Sequence, residues 1–134
     1  MKSITKMSQI ELGAFVQTYL RQKGIEAVLS GGAAVSYYTK NQYLSKDLDL
    51  IRTGLTSRRE LKKALSELGF IEQSRYFKHP LSEFIIEFPE GPLSVGKEPV
   101  TLKKTITVRM PTGILRILSP TDCVKDRLAS YYYY

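Results

Sequence analysis

Asp47 and Asp49 stand two residues apart in the apolar stretch Asp47-Leu48-Asp49-Leu50-Ile51, with fourteen residues between them and the pair Gly31-Gly32. If this stretch is a β-strand, the alternation of side chains puts both carboxylates on one face, roughly 6.6 Å apart. Like charges held in that way repel unless a cation lies between them. A divalent ion carrying a nucleotide phosphate meets that need, either as one Mg²⁺ bound by both acids or as two metals held between them. Gly31-Gly32 follows the short apolar run Ile25 to Leu29. It permits close backbone approach and presents the amides of a helix N-terminus, which attract phosphate. Ser30 offers a hydroxyl beside them. The same residue types also serve plain structure: a Gly-Gly pair makes a strand-to-helix turn, and acids sit on the wet face of an edge strand.

A third acid has a similar setting. Glu87 is embedded in Phe84-Ile85-Ile86-Glu87-Phe88. A carboxylate in an apolar strand needs a metal or a basic partner to offset the cost of burial. It is a candidate third metal ligand, or the base that deprotonates an attacking hydroxyl; the structural alternative is an ion pair with Arg or Lys. Glu83, at the strand's start, is the weaker choice. His79 precedes Pro80 in an expected loop and reads as a surface residue, and Cys123 as a core residue. Arg58-Arg59, Lys62-Lys63 and Lys103-Lys104 read as solvated faces, with RNA phosphate as the functional alternative.

The elements that must position these groups alternate along the chain. Ser8-Gln9-Ile10-Glu11 has the pattern of a capping box, and Leu12, Phe15, Val16 and Tyr19 follow at helical spacing, with Gly24 as the stop. A strand over 25–29, a short helix over 33–38, a polar loop over 39–46 and a strand over 47–51 come next. Ser57-Arg58-Arg59-Glu60 opens a second capped helix with Leu61, Ala64, Leu65 and Leu68 on one face, ended by Gly69. A hairpin is expected from 70–72 and 75–78, and a strand over 84–88 that Pro89-Glu90-Gly91-Pro92 must break. Strands over 101–110 and 114–118 follow. Ser119-Pro120-Thr121-Asp122 opens a last helix with Val124, Leu128 and Tyr131 on one face. Its run of four tyrosines, 131–134, suggests a C-terminal partner, a dimer contact or a shortened chain. The expectation is one α/β domain over 1–134: a small mixed sheet with helices packed on it.

Composition narrows the function classes. A chain of 134 residues, 43% hydrophobic and 25% charged, suits a single globular domain. No apolar run reaches the length of a membrane span, and the first residues lack the apolar core of a signal peptide. One cysteine and one histidine exclude an internal disulfide framework and the usual zinc cages, and they suit a reducing cytoplasm. The net charge of +7 favours polyanionic partners such as RNA, DNA or nucleotides.

Gly31-Gly32, the spacing to Asp47-Leu48-Asp49, and Glu87 on a later strand resemble the nucleotidyltransferase superfamily with the polymerase-β-like fold. The likeness spans residues 25 to 130 or so. It is greatest to small bacterial and archaeal members such as AbiEii-like toxins and antibiotic nucleotidyltransferases. Leu118-Ser119-Pro120-Thr121-Asp122 through Lys125 is similar to the helix that follows their sheet. The resemblance implies that Gly31 and Gly32 contact the nucleotide phosphates. It also implies that Asp47, Asp49 and Glu87 hold Mg²⁺ or Mn²⁺, that Lys46 and Lys125 steady phosphate, and that the helical region beyond the core is short. Ser45, at the mouth of the strand, is a further phosphate contact or a loop residue. The implied reaction transfers a nucleoside monophosphate from an NTP to an acceptor hydroxyl on tRNA, protein or a small molecule, as in toxin–antitoxin systems. The rivals are a non-catalytic binding module of the same fold and a basic RNA-binding domain whose acids are structural.

Overall fold

Sheet order follows from which strands can afford to be buried on both faces. The computed structural model describes residues 3–40, 46–89, 93–95 and 98–133, without the side chains beyond Leu128. Its strands are β1 (Ala27–Ser30), β2 (Asp47–Arg52), β3 (Ile71–Gln73), β4 (Tyr76–Lys78), β5 (Ile85–Glu87), β6 (Ser94–Val95), β7 (Glu98–Pro99), β8 (Ile106–Met110) and β9 (Gly113–Ile117). Its helices are α1 (Gln9–Gln22), α2 (Gly31–Tyr38), α3 (Arg58–Glu67) and α4 (Pro120–Tyr133). Seven strands form one mixed sheet in the order β3-β4-β5-β2-β1-β9-β8, and β6 pairs with β7 apart from it. Every residue of β1 is buried, as a strand near the sheet's centre requires. β2 runs antiparallel to β1 and parallel to β5, and β1 runs parallel to β9. The expected mixed sheet with packed helices is what the chain forms. No helix among the described residues is long and apolar enough to cross a membrane.

The two sheet faces differ. Leu29, Leu48, Leu50, Phe77 and Ile86 are fully buried on one face. There α1 lies against Leu48 and Leu115 through Gly13, and the Arg58 guanidinium at the start of α3 sits 4.9 Å over the Phe77 ring. α1 is capped as expected: Ser8 Oγ accepts from the Glu11 amide, and Glu11 Oε1 accepts from the Ser8 amide. Ser57 caps α3 by accepting from the Glu60 amide. α2 packs against β1, β2 and α4, with its first residue, Gly31, against the Asp49 side chain.

Three expectations shift. α2 begins at Gly31 rather than at residue 33, because Gly31 takes φ +67° and turns β1 directly into the helix. Residues 101–110 are not one strand. Leu102–Lys104 form a 3₁₀ turn, since the Leu102 carbonyl is tied down by the Thr105 amide and by Arg116 Nη1 from β9. On α4 the buried side is that of Cys123, while Val124 and Leu128 remain 60% and 53% exposed. They border an apolar groove of about 340 Å³ between α2 and α4. Ser45, residues 90–92 and Tyr134 lie outside the described residues, and the tyrosine side chains of 131–133 are likewise not described.

β1 and β9 share one ladder pair, Leu29 with Ile117, and then diverge. Gln17 of α1, 1% exposed, fills the gap. Its Nε2 donates to the Ala27 carbonyl at 3.1 Å and the Arg116 carbonyl at 2.8 Å, and its Oε1 accepts from the Arg116 amide at 2.9 Å. One side-chain amide thus replaces ladder bonds that the splayed strands cannot make. Gln17→Leu leaves those groups unpaired and is expected to destabilise the fold by about 2–4 kcal/mol, read by urea unfolding. A loss below about 0.5 kcal/mol, within the range of an ordinary surface substitution, would refute this role.

Candidate functional site

Register assembles the site. Ser30 of β1 pairs with Asp49 of β2, Asp49 with Glu87 of β5, and Glu87 with Tyr76 of β4. Paired residues in neighbouring strands share a face, so these four make one row across the sheet. Asp47 lies on the same face two residues earlier, opposite Ile85. The apolar residues between, Leu48 and Ile86, point into the core, and their burial fixes the acids on the opposite side. A one-residue slip of β2 would bury Asp47 and Asp49 and expose both leucines. Gln9 of α1 helps to hold the start of β2 by donating to the Asp47 carbonyl at 3.1 Å.

Gly31 and Asp49 are in closer contact than any side chain would allow. A Cβ on Gly31 would overlap Asp49 Oδ2, and the positive φ there is strained for other residues. Ser30 is buried and leaves α2 without a side-chain cap. Its hydroxyl instead donates to the Asp49 carbonyl at 3.4 Å. Both ends of this contact therefore act on β2.

The electrostatics are those of crowded acids. Burial pushes the Asp49 carboxyl up to about 6, and the nearby charges of Glu87, Asp47 and Asp126 add to the rise, with Arg127 opposing it. Asp126 is also raised, chiefly by burial; a hydrogen bond donated by the Gly31 amide and the charge of Arg127 act the other way. Asp126 and Arg127 of α4 are the site residues that sequence reasoning missed. The sequence carries a signal for Asp126: Cys123 reads as a core residue, and Asp126 follows it by three residues on the same helical face.

The structure brings Ser30, Gly31, Asp47, Asp49 and Glu87 together. Gly32 follows in the first turn of α2. Lys46 is exposed just before β2, where its carbonyl accepts from the Ile85 amide. Lys125 is exposed on α4, the helix that delivers Asp126. No described contact joins either lysine side chain to the acids. His79, expected at the surface, has a structural role: Nδ1 accepts from the Leu81 amide, and the ring meets Phe70 edge-on.

Among the described residues, no three His, Cys, Asp or Glu side chains are already gathered as a metal cage. The donor set nonetheless suits a hard divalent cation. Mg²⁺ needs one or two carboxylates and takes the rest of its shell from water and substrate phosphates. Asp47 and Asp49 on one face, with Glu87 beside Asp49, supply those oxygens, and a cation would relieve the charge repulsion that adds to the effect of burial on Asp49.

Two outcomes test this geometry. In the folded chain Asp49 holds a proton to about pH 6. In the unfolded chain it releases that proton near pH 4. Stability therefore falls as pH rises through that window, and the penalty is fixed above it. Asp49→Asn should flatten that part of the pH profile and raise stability at pH 7.5 by about 1–3 kcal/mol. Equal urea midpoints for both proteins from pH 4 to 7.5 would refute it. Separately, Gly31→Ala should cost about 2–4 kcal/mol through the left-handed φ and the collision with Asp49; an unchanged melting temperature would show that the contact is not there.

Compared with known proteins, the chain matches no family model, no curated protein and no solved structure.

Proposed function

We propose that this chain is a nucleotidyltransferase of the polymerase-β-like kind, which moves a nucleoside monophosphate from an NTP to an acceptor hydroxyl. The observation that carries the reading is the register row that aligns Ser30, Asp49 and Glu87, with Asp47 on the same face and Gly31 against Asp49.

In this reading Asp47 and Asp49 hold Mg²⁺ or Mn²⁺, with Glu87 as the third carboxylate. When bound there, such an ion would neutralise charge that develops on the phosphates. The glycine turn lets the triphosphate approach the backbone at the start of α2. Glu87 stands beside Asp49 in register, where it accepts the proton of the attacking hydroxyl. That hydroxyl oxygen bonds to the α-phosphorus, and pyrophosphate leaves. Arg127 supplies positive charge from α4 near Asp49. Lys46 and Lys125 remain candidates for steadying phosphate from the rim.

One observation favours the non-catalytic rival. The Gly31 amide, which a bound phosphate would use, already donates to Asp126. For nucleotide to take that amide, α4 must give way, or the phosphates must use other groups of the turn.

Incubating the protein with each α-labelled NTP, Mg²⁺ or Mn²⁺ and a cell extract separates the readings. Label should enter RNA, protein or a small molecule. Glu87→Gln should slow the transfer by about 10²–10⁴-fold, and Asp47→Ala or Asp49→Ala should abolish it. Mg²⁺ should also raise the melting temperature of the wild type but not that of Asp49→Asn. Absence of label with every nucleotide, together with no thermal response to metal, would leave the binding module as the reading.

A further inference from the structure

A second cluster lies at the opposite end of β2 from Asp47, and the acid chemistry leaves it unused. An open cleft of about 610 Å³ is lined by three arginines, Arg52, Arg58 and Arg75, with Ser74, Glu72 and Phe88 between them. Three guanidinium residues line this cleft against two carboxylate residues, Glu72 and Glu87, and the excess of positive charge favours an added anion.

The arginines are in different states. Arg58 is committed: it pairs with Glu72 at 3.1 Å, donates to the Arg75 carbonyl at 3.2 Å and covers Phe77. Glu72 is doubly neutralised, since Lys62 also reaches it at 3.4 Å. Its carboxyl is held below the usual range, first by the hydrogen bond from Arg58. Arg52 is half-committed. Its Nη1 donates to the Thr56 carbonyl at 2.8 Å, while its Nε is buried with no hydrogen-bond partner. A buried guanidinium N–H left unpaired is costly. Arg75 is exposed at the β3–β4 turn, and its side chain has no partner among the described residues. The cleft thus has a half-paired guanidinium, Arg52, whose Nε lies buried behind the surface, and an uncommitted one, Arg75, on its rim. Planar forks of this kind match phosphate oxygens.

Glu87 also lines this cleft, and it is the register partner of Asp49. The cleft therefore reaches the β5 end of the acidic row, although alternation along β2 sends Arg52 to the opposite face from Asp49. We propose that it binds a phosphate group of a single-stranded nucleic-acid acceptor, and so holds the acceptor strand beside Glu87. The net charge of +7 supplies the long-range attraction that such a strand requires. The assignment of the strand as acceptor rests on the nucleotidyltransferase reading. The phosphate site does not, because it uses neither metal nor the aspartates.

The test is the anisotropy of a short fluorescent single-stranded RNA, and of DNA of the same sequence, titrated with protein in EDTA. Inorganic phosphate is the competitor. Arg75→Ala, at an exposed turn position where folding is little affected, should weaken binding by about tenfold. It should also lower the salt slope by about 0.7. Lys103→Ala removes the same charge from an exposed site outside the cleft and should change affinity by less than about twofold. Asp49→Asn should bind as well as wild type or better. Competition by phosphate that weakens in Arg75→Ala supports the site. Equal losses in Arg75→Ala and Lys103→Ala would reduce the interaction to net charge and overturn it, as would failure of the wild type to bind either strand. Strand binding without nucleotide transfer would remove the enzymatic reading alone. Transfer that is unaffected by Arg75→Ala would remove this proposal alone.

Discussion

The contact between Gly31 and Asp49 is the constraint on which the site depends. β1 must turn into α2 at one residue, and that residue must have no side chain because a carboxylate already fills the space. This fixes where α2 starts, which face of β2 it covers and how far the acids of β2 stand from its backbone. The neighbouring Ser30 hydroxyl ties the same strand at the Asp49 carbonyl. The contact fails if the register of β2 moves by one residue, and that register is held from the other side by buried Leu48 and Leu50. Core packing on one face and acid geometry on the other are therefore a single condition.

That condition carries an electrostatic conflict. The fold places Asp49 partly out of water and sets Glu87, Asp47 and Asp126 near it, with the charge of Arg127 opposing them. A design for stability alone would put an apolar or amide side chain there. Strain of this kind concentrates where a cation or substrate is to be bound, since the ligand then supplies the charge that the fold withholds. The α4 helix takes part in the same balance: Asp126 adds negative charge near Asp49 and accepts from the Gly31 amide, while Arg127 offsets it.

Much of this arrangement was legible in the sequence because the relevant rules are local. Capping residues marked α1 and α3, Pro120 marked the start of α4, and two-residue alternation put Asp47 and Asp49 on one face. Glu87 stood out because a carboxylate inside an apolar strand needs an explanation. What remained hidden depends on tertiary neighbours. The pairing of β2 with β5 that sets Asp49 beside Glu87 is a long-range match with no local signature. The 3₁₀ turn at 102–104 is fixed by Arg116 from another strand. Gln17 reads as an ordinary polar residue of a helix until the divergence of β1 and β9 shows what its amide bridges. Asp126 differs from Lys125, the residue that the resemblance points to, by one position and by about 100° around the helix, and only the packing of α4 near Asp49 tells them apart.

The acidic row and the arginine cleft are best understood together. β2 begins with Asp47 and ends with Arg52, and its alternation sends the aspartates to one face and Arg52 to the other. β5 ends at Glu87, short of Arg52, because Pro89 cannot continue the ladder. The early end of β5 opens the cleft and leaves Glu87 where the strand stops, in the acidic row by register and in the lining of the cleft. A phosphate chain lying across that end of β5 would meet opposite charges in sequence: arginines where its backbone needs neutralising, and a carboxylate where a hydroxyl must lose a proton.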